Sequence, residues 1–154
     1  MNVPRVLAID FGKTTGWAAN MQEGVVCSIK ILPDKQRERA YCAFIRSLIA
    51  TVKPDVVFYE TIKSLRQHRN SCAQAHWWGF YYHELLHVCS TQGILTEGVH
   101  STTIKKHAGH GQLDKNGMIR AAVNRGYTTI SDDAADALWL LLYVLENKLV
   151  EKGG

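Results

Sequence analysis

The sequence is poor in the residues that build covalent or metal-bound frames. Its four cysteines, Cys27, Cys42, Cys72 and Cys89, stand far apart and form no Cys-x-x-Cys pair. That spacing excludes a zinc knuckle and argues for reduced packing cysteines rather than a disulfide framework. Long apolar runs are missing too: the longest, Ala137 to Leu145, is too short to cross a bilayer. An acid, Asp10, arrives too early for a signal peptide. There is no internal repeat and no linker-like stretch, and the segment Gly109 to Lys115 lacks the Gly-Lys-Ser/Thr of a Walker phosphate loop. These absences lead to the expectation of a soluble, cytoplasmic protein in which residues 1–154 form a single domain.

What is present fits a globular chain. Of the 154 residues, 46% are hydrophobic and 21% charged, which excludes a disordered or fibrous protein. The net charge of +4 permits a nucleic-acid partner without demanding one. The basic residues gather in groups: Lys35, Arg37 and Arg39; Lys63, Arg66 and Arg69; Lys105 and Lys106. Groups of this size are usually solvated faces, so they gain meaning only beside an acidic site.

The opening stretch, Val6 to Ala18, organises the reading. Val6 to Ile9 reads as a buried strand that delivers Asp10 at its end. Gly12 and Gly16 are expected to let the chain turn tightly, with Gly16 to Ala19 returning as a second strand. Val25 to Leu32 reads as a third strand, and Lys35 to Val52 has apolar residues at helical spacing up to the stop at Pro54. Asp55 to Glu60 is a fourth strand, again ending in an acid. Thr61 to Asn70 reads as a loop, Ser71 to Thr91 as a long aromatic helix and Gly93 to His100 as a fifth strand. Ser101 is expected to cap a brief helix through Lys106, broken by Gly109-His110-Gly111. A helix follows over Asp114 to Arg125, with Gly126 as its stop. A final helix runs from about Asp133 to Glu151, capped by Ser131 or Asp132. Three adjacent strands and then alternating helices and strands indicate an α/β sheet with a meander on one side.

Two constellations could carry chemistry. Asp133 and Asp136 are three residues apart and share one face of the last helix. Capping and the helix dipole explain acids at a helix start, but Asp136 is followed at once by the packed run Ala137 to Leu142. With Asp10 and Glu60 at strand ends, these acids form an oxygen-donor set of the kind that Mg²⁺ prefers. The competitor is His83-Glu84-Leu85-Leu86-His87, a formal match to the zinc-protease His-Glu-x-x-His pattern. Val88 to His100 supplies no recognisable third ligand, so exposed or partly buried surface histidines are the favoured reading. The Gly109-His110-Gly111 loop is a weak phosphate cradle. The rings of Trp77, Trp78, Phe80, Tyr81 and Tyr82 suit a core or subunit contact better than a base-stacking platform.

Taken in order, these pieces resemble the RuvC-type Holliday-junction resolvases, particularly the small bacteriophage forms, within the RNase H-like superfamily. The marks are Asp10 with its Gly-Trp-Ala strand, Glu60, the Lys105-Lys106 and Gly109-x-Gly111-x-x-Asp114-Lys115 segment, and Asp133-Ala-Ala-Asp136-Ala-Leu138. The resemblance spans nearly the whole chain. It implies an RNase H-like α/β fold with a five-stranded mixed sheet, an antiparallel meander of strands 1–3 followed by parallel strands. It implies a homodimer acting on four-way junctions, with two Mg²⁺ per site and Mn²⁺ as the alternative ion, cutting to leave a 5′ phosphate and a 3′ hydroxyl. By position, Asp10, Glu60, Asp133 and Asp136 would hold the metals, with Asp10 bridging them, and Lys115 would offset charge at the scissile phosphate. Either Lys105 or Lys106 takes a second lysine position, the spacing to Gly109 being one residue shorter than usual. Lys63, Arg66, Arg69, Lys105, Lys106 and Lys115 would contact DNA. The place of the family's wedging aromatic is held by Lys63. The rivals are a broader fork or flap nuclease of the same superfamily and a branch-binding protein that does not cut. The resemblance of Ile9 to Thr15 to a sugar-kinase phosphate loop would need two domains.

Overall fold

A computed structural model describes residues 3–61, 71–128 and 131–149. Five strands form one mixed sheet in the order β3-β2-β1-β4-β5. The strands β1 (Val6–Asp10), β2 (Thr14–Met21) and β3 (Gly24–Ile31) make the antiparallel meander, and β4 (Val56–Thr61) and β5 (Leu95–His100) add in parallel beyond β1. Parallel neighbours need crossovers, and these are α1 (Arg37–Val52) between β3 and β4 and α2 (Ser71–Thr91) between β4 and β5. The expected architecture is present.

Alternation along β1 explains the layering. Val6 and Ala8 point into a core shared with Phe58, Met118 and Leu138, whereas Leu7 and Ile9 point into a second core with Tyr41, Ile45 and Leu85. A strand buried on both faces reads as a continuous apolar run because each face has its own helical cover. One cover is α1 with α2. The other is α5 (Asp132–Tyr143), supported by α3 (Ser101–Ala108) and α4 (Lys115–Asn124). Leu138, Leu140 and Leu141 are almost fully buried, and Trp139 donates its indole Nε1–H to the Met118 carbonyl at 3.0 Å, tying α5 to α4.

The helix boundaries show where local chemistry decided. Asp114 caps α4 by accepting from the Gly117 amide at 2.7 Å, and Ser131 caps α5 by accepting from the Ala134 amide at 3.2 Å. Lys53 adopts a left-handed conformation just before Pro54, and Gly126 does so two residues past α4. Three expectations are corrected. Ser101 is inside α3 rather than its cap. The cap position is held by His100, whose side chain makes no capping bond, and the helix runs on to Ala108. The last helix turns π-helical over Val144–Lys148, so its α-helical part ends at Tyr143. Gly16 is not at a turn: it lies inside β2, paired with Asp10. The expected loop over Thr61 to Asn70 falls, beyond Thr61, outside the described residues.

Candidate active site

The site is built at one end of the two central strands. Asp10 ends β1, Glu60 is the penultimate residue of its parallel neighbour β4, and Asp136 projects from the first turns of α5. Their carboxylate oxygens lie within 4.8 Å of one another, the one group of three potential metal ligands among the described residues. What allows this approach is Gly16. A Cβ built there would stand 2.0 Å from the Asp133 carbonyl oxygen and 3.2 Å from the Ala134 amide nitrogen. Glycine in β2 therefore lets the N-terminus of α5 lie directly against the strand beside Asp10. Next to it in β2, Thr15 is fully buried and donates its hydroxyl to the Gly12 carbonyl at 2.8 Å, tying the strand to the turn that precedes it.

Three acids this close are electrostatically costly without a cation. Burial, then Glu60, Asp136, Asp133 and Asp132 in turn, push the Asp10 carboxyl well above the usual carboxylate range. Burial and Asp136 raise Glu60 to about 7, and burial with Asp133 and Asp132 raises Asp136 to about 6. Lys105 works against both shifts. None of the three acids forms an ion pair among the described residues at hydrogen-bonding range. An all-oxygen donor set, clustered and with no ion pair among the described residues, fits a hard divalent cation.

The remaining expected site residues sort by position. Asp133 stands outside the three-oxygen cluster, although its charge reaches Asp10 and Asp136. Lys105 and Lys115 line a 290 Å³ cleft together with Glu60 and Asp136. Lys115 is exposed and pairs with Asp132 at 2.9 Å. This pairing holds Asp132 below, and Lys115 above, their ordinary ranges. Lys106 points elsewhere, its stem packing where a Cβ on Gly111 would sit. Geometry thus selects Lys105 over Lys106 as the lysine facing the acids. Lys63, Arg66 and Arg69 fall outside the described residues.

The zinc-like motif does not assemble. His83 and His87 are exposed on α2, Leu85 is buried beneath them, and Glu84 accepts a hydrogen bond from the Cys42 thiol at 3.1 Å. Sequence reasoning missed Asp132 as the partner of Lys115, because capping alone accounts for an acid at a helix start. It also gave Gly16 the wrong task, since a close approach to a distant helix leaves no local signal.

No protein-family profile and no curated protein matches the sequence. Solved structures do. The structure of Thermus thermophilus RuvC in complex with a Holliday junction substrate is similar over 97% of this chain and 97% of that one, with a TM-score of 0.76 and 17% identity. A further T. thermophilus RuvC structure gives 0.68 at 18% identity, covering 97% of this chain and 96% of that one. The yeast mitochondrial Holliday junction resolvase Ydc2 gives 0.61 at 11% identity, over 96% of this chain and 81% of that one. Strand order, mixed pairing and near-complete overlap agree: the chain has the RNase H-like fold in its RuvC-type form.

Proposed function

We propose that this protein is a divalent-metal-dependent endonuclease that resolves four-way DNA junctions by paired, symmetric incision. The observation that carries the reading is the convergence of Asp10, Glu60 and Asp136 at the strand ends of a RuvC-type fold. Asp10, Glu60 and Asp136 would hold Mg²⁺, with Mn²⁺ the alternative and Asp133 completing the shell of a second ion. Such ions supply Lewis-acid activation of a phosphodiester and of water. The chain itself supplies positioning and charge. Lys105 and Lys115 flank the cleft beside Glu60 and Asp136, so a phosphate entering it meets cations on one side and the carboxylate cluster on the other. Positive charge placed where the pentavalent phosphate becomes more negative lowers the barrier. Attack by water in line with the 3′ oxygen leaves a 5′ phosphate and a 3′ hydroxyl, ends that a ligase can rejoin. A homodimer would present two such sites to two opposed strands of a two-fold junction.

The test is cleavage of end-labelled four-way junction, fork and linear duplex by wild type and Asp10→Asn, each with Mg²⁺ or with EDTA. Paired, ligatable nicks confined to the junction and lost in Asp10→Asn and in EDTA are the expected result, with junction binding retained by the variant. Equal cutting of forks would make the protein a general branch nuclease. Binding without cutting by wild type would leave a branch-binding protein.

A further inference from the structure

Lys105 reaches the cleft beside Glu60 and Asp136 from α3, a helix that is short and little buried. α3 has eight residues, Ile104 is its one fully buried side chain, and its N-cap residue, His100, makes no side-chain capping bond. A helix this short is unstable without tertiary contacts. One such contact is built on the side turned from the cleft. His107 follows Lys105 by two residues, a rotation of about 200°, and faces the far end of α5. Its side chain is 19% exposed, and the ring lies edge-on to Trp139 at 6.0 Å and to Tyr143 at 5.7 Å.

Both ring nitrogens of His107 meet the π-helical turn Val144–Lys148 that follows α5. Nε2 lies 2.7 Å from Glu146 Oε2, in contact although a ring N–H does not point straight at the oxygen. Nδ1 lies 3.3 Å from Asn147 Nδ2, which also donates to the Tyr143 carbonyl at 3.0 Å. An amide nitrogen only donates, so Nδ1 accepts, and the neutral ring carries its proton on Nε2, toward the carboxylate. Glu146 and Asn147 are adjacent residues, about 100° apart on an ordinary helix, yet each reaches one nitrogen of the same ring. π turns are rare and gather at functional sites. Glu146 extends the tie to α4, since its Oε1 meets the Arg125 guanidinium at 2.5 Å, and Arg125 is the C-cap of the helix that Lys115 begins. One polar chain therefore fastens the two lysine-bearing helices to the helix that carries Asp136.

Resting on the nuclease reading above, we propose that His107 is a positioning residue: docked on Glu146 and Asn147, it fixes the rotation of α3 and so holds Lys105 toward the carboxylates. Without that docking α3 keeps Ile104 as a pivot, and the Lys105 ammonium, at the end of a flexible aliphatic stem, sweeps a wider arc. Charge that stabilises a transition state works when it is in place before the reaction. Looseness at α3 therefore lowers the rate of cutting and leaves junction binding intact.

The test is single-turnover cleavage of an end-labelled four-way junction in saturating Mg²⁺, with junction binding followed in parallel by the anisotropy of a labelled arm in EDTA. His107→Leu, which keeps an apolar contact with Trp139 and Tyr143, should slow cleavage about tenfold and leave the dissociation constant unchanged. His107→Gln, which restores a donor toward Glu146, should recover most of the rate. The deciding variant is a double one. Lys105→Ala should slow cleavage about 100-fold, and adding His107→Leu to it should cost nothing further. The same cycle with Glu146→Gln, an isosteric and more exposed change, should give the same non-additivity and decides the matter if His107→Leu does not fold. A double variant slowed by the product of the two effects, about 1000-fold, shows His107 acting apart from Lys105 and overturns the proposal. A wild-type rate in His107→Leu overturns it too, and in both cases the nuclease reading stands. If wild type cuts no junction, both readings fall.

Discussion

At the scale of single residues, the three converging acids set the protein's response to pH. In an unfolded chain these carboxyls titrate at about 4, whereas in the fold Glu60 is pushed up to about 7 and Asp136 to about 6, and burial, then Glu60 and Asp136, hold Asp10 well above its ordinary range. Their folded values lie above their unfolded ones, so the metal-free fold binds more protons and gains stability from them at low pH. That stability is lost as pH rises from about 4 to about 7 and beyond, on the order of 3 kcal/mol for each of Glu60 and Asp136 before coupling between them. Urea unfolding in EDTA at a series of pH values should show the decline, and the Asp136→Asn variant should flatten it. Lys115 is the complementary case. It is exposed and pairs with Asp132 across the surface, so Lys115→Ala should leave the melting temperature unchanged within error. Single-turnover cleavage should nevertheless slow about 100-fold, the usual cost of removing one group that stabilises developing charge.

At the scale of elements, the site depends on how α5 meets β2. Asp133 and Asp136 share a helix face, but only Asp136 reaches the other acids, and the position of the whole first turn is set by Gly16. Gly16→Ala forces a methyl group into the Asp133 carbonyl, a backbone atom that cannot swing aside. The expected cost is about 1–3 kcal/mol of stability from overpacking, together with weaker metal binding as the α5 turn is pushed from Asp10. Chemical denaturation and Mn²⁺ titration by paramagnetic relaxation would measure the two effects on one sample. Unaltered metal binding in a folded Gly16→Ala protein would show that the helix position does not control the site.

At the scale of the whole molecule, metal binding and folding are linked, because the three ligands come from residues 10, 60 and 136 and meet only in the native sheet and helix. Mg²⁺ at ten times its dissociation constant should therefore stabilise the fold by about 1.4 kcal/mol. For a chain of this size that raises the melting temperature by roughly 4 °C. Scanning calorimetry should record this rise at neutral pH in wild type and not in Asp10→Asn.

What the sequence determined by itself is the set of elements and the identity of the acids. Val6 to Ile9 reads as a buried strand, Ser131 or Asp132 as a helix cap, and acids at the ends of two apolar strands stand out because burial there is expensive. These signals are local, and each lies within one turn or one strand. What only the tertiary structure decided is distance across the chain. It separated Asp136 from Asp133, chose Lys105 over Lys106 to face the acids, and paired Lys115 with Asp132. It also turned Gly16 from an expected turn residue into the clearance that lets α5 touch the sheet. Neighbouring residues on a helix differ by a rotation of about 100°. Which of two adjacent side chains enters a site is therefore fixed by how the helix docks, and docking is the work of core contacts from residues far apart in sequence.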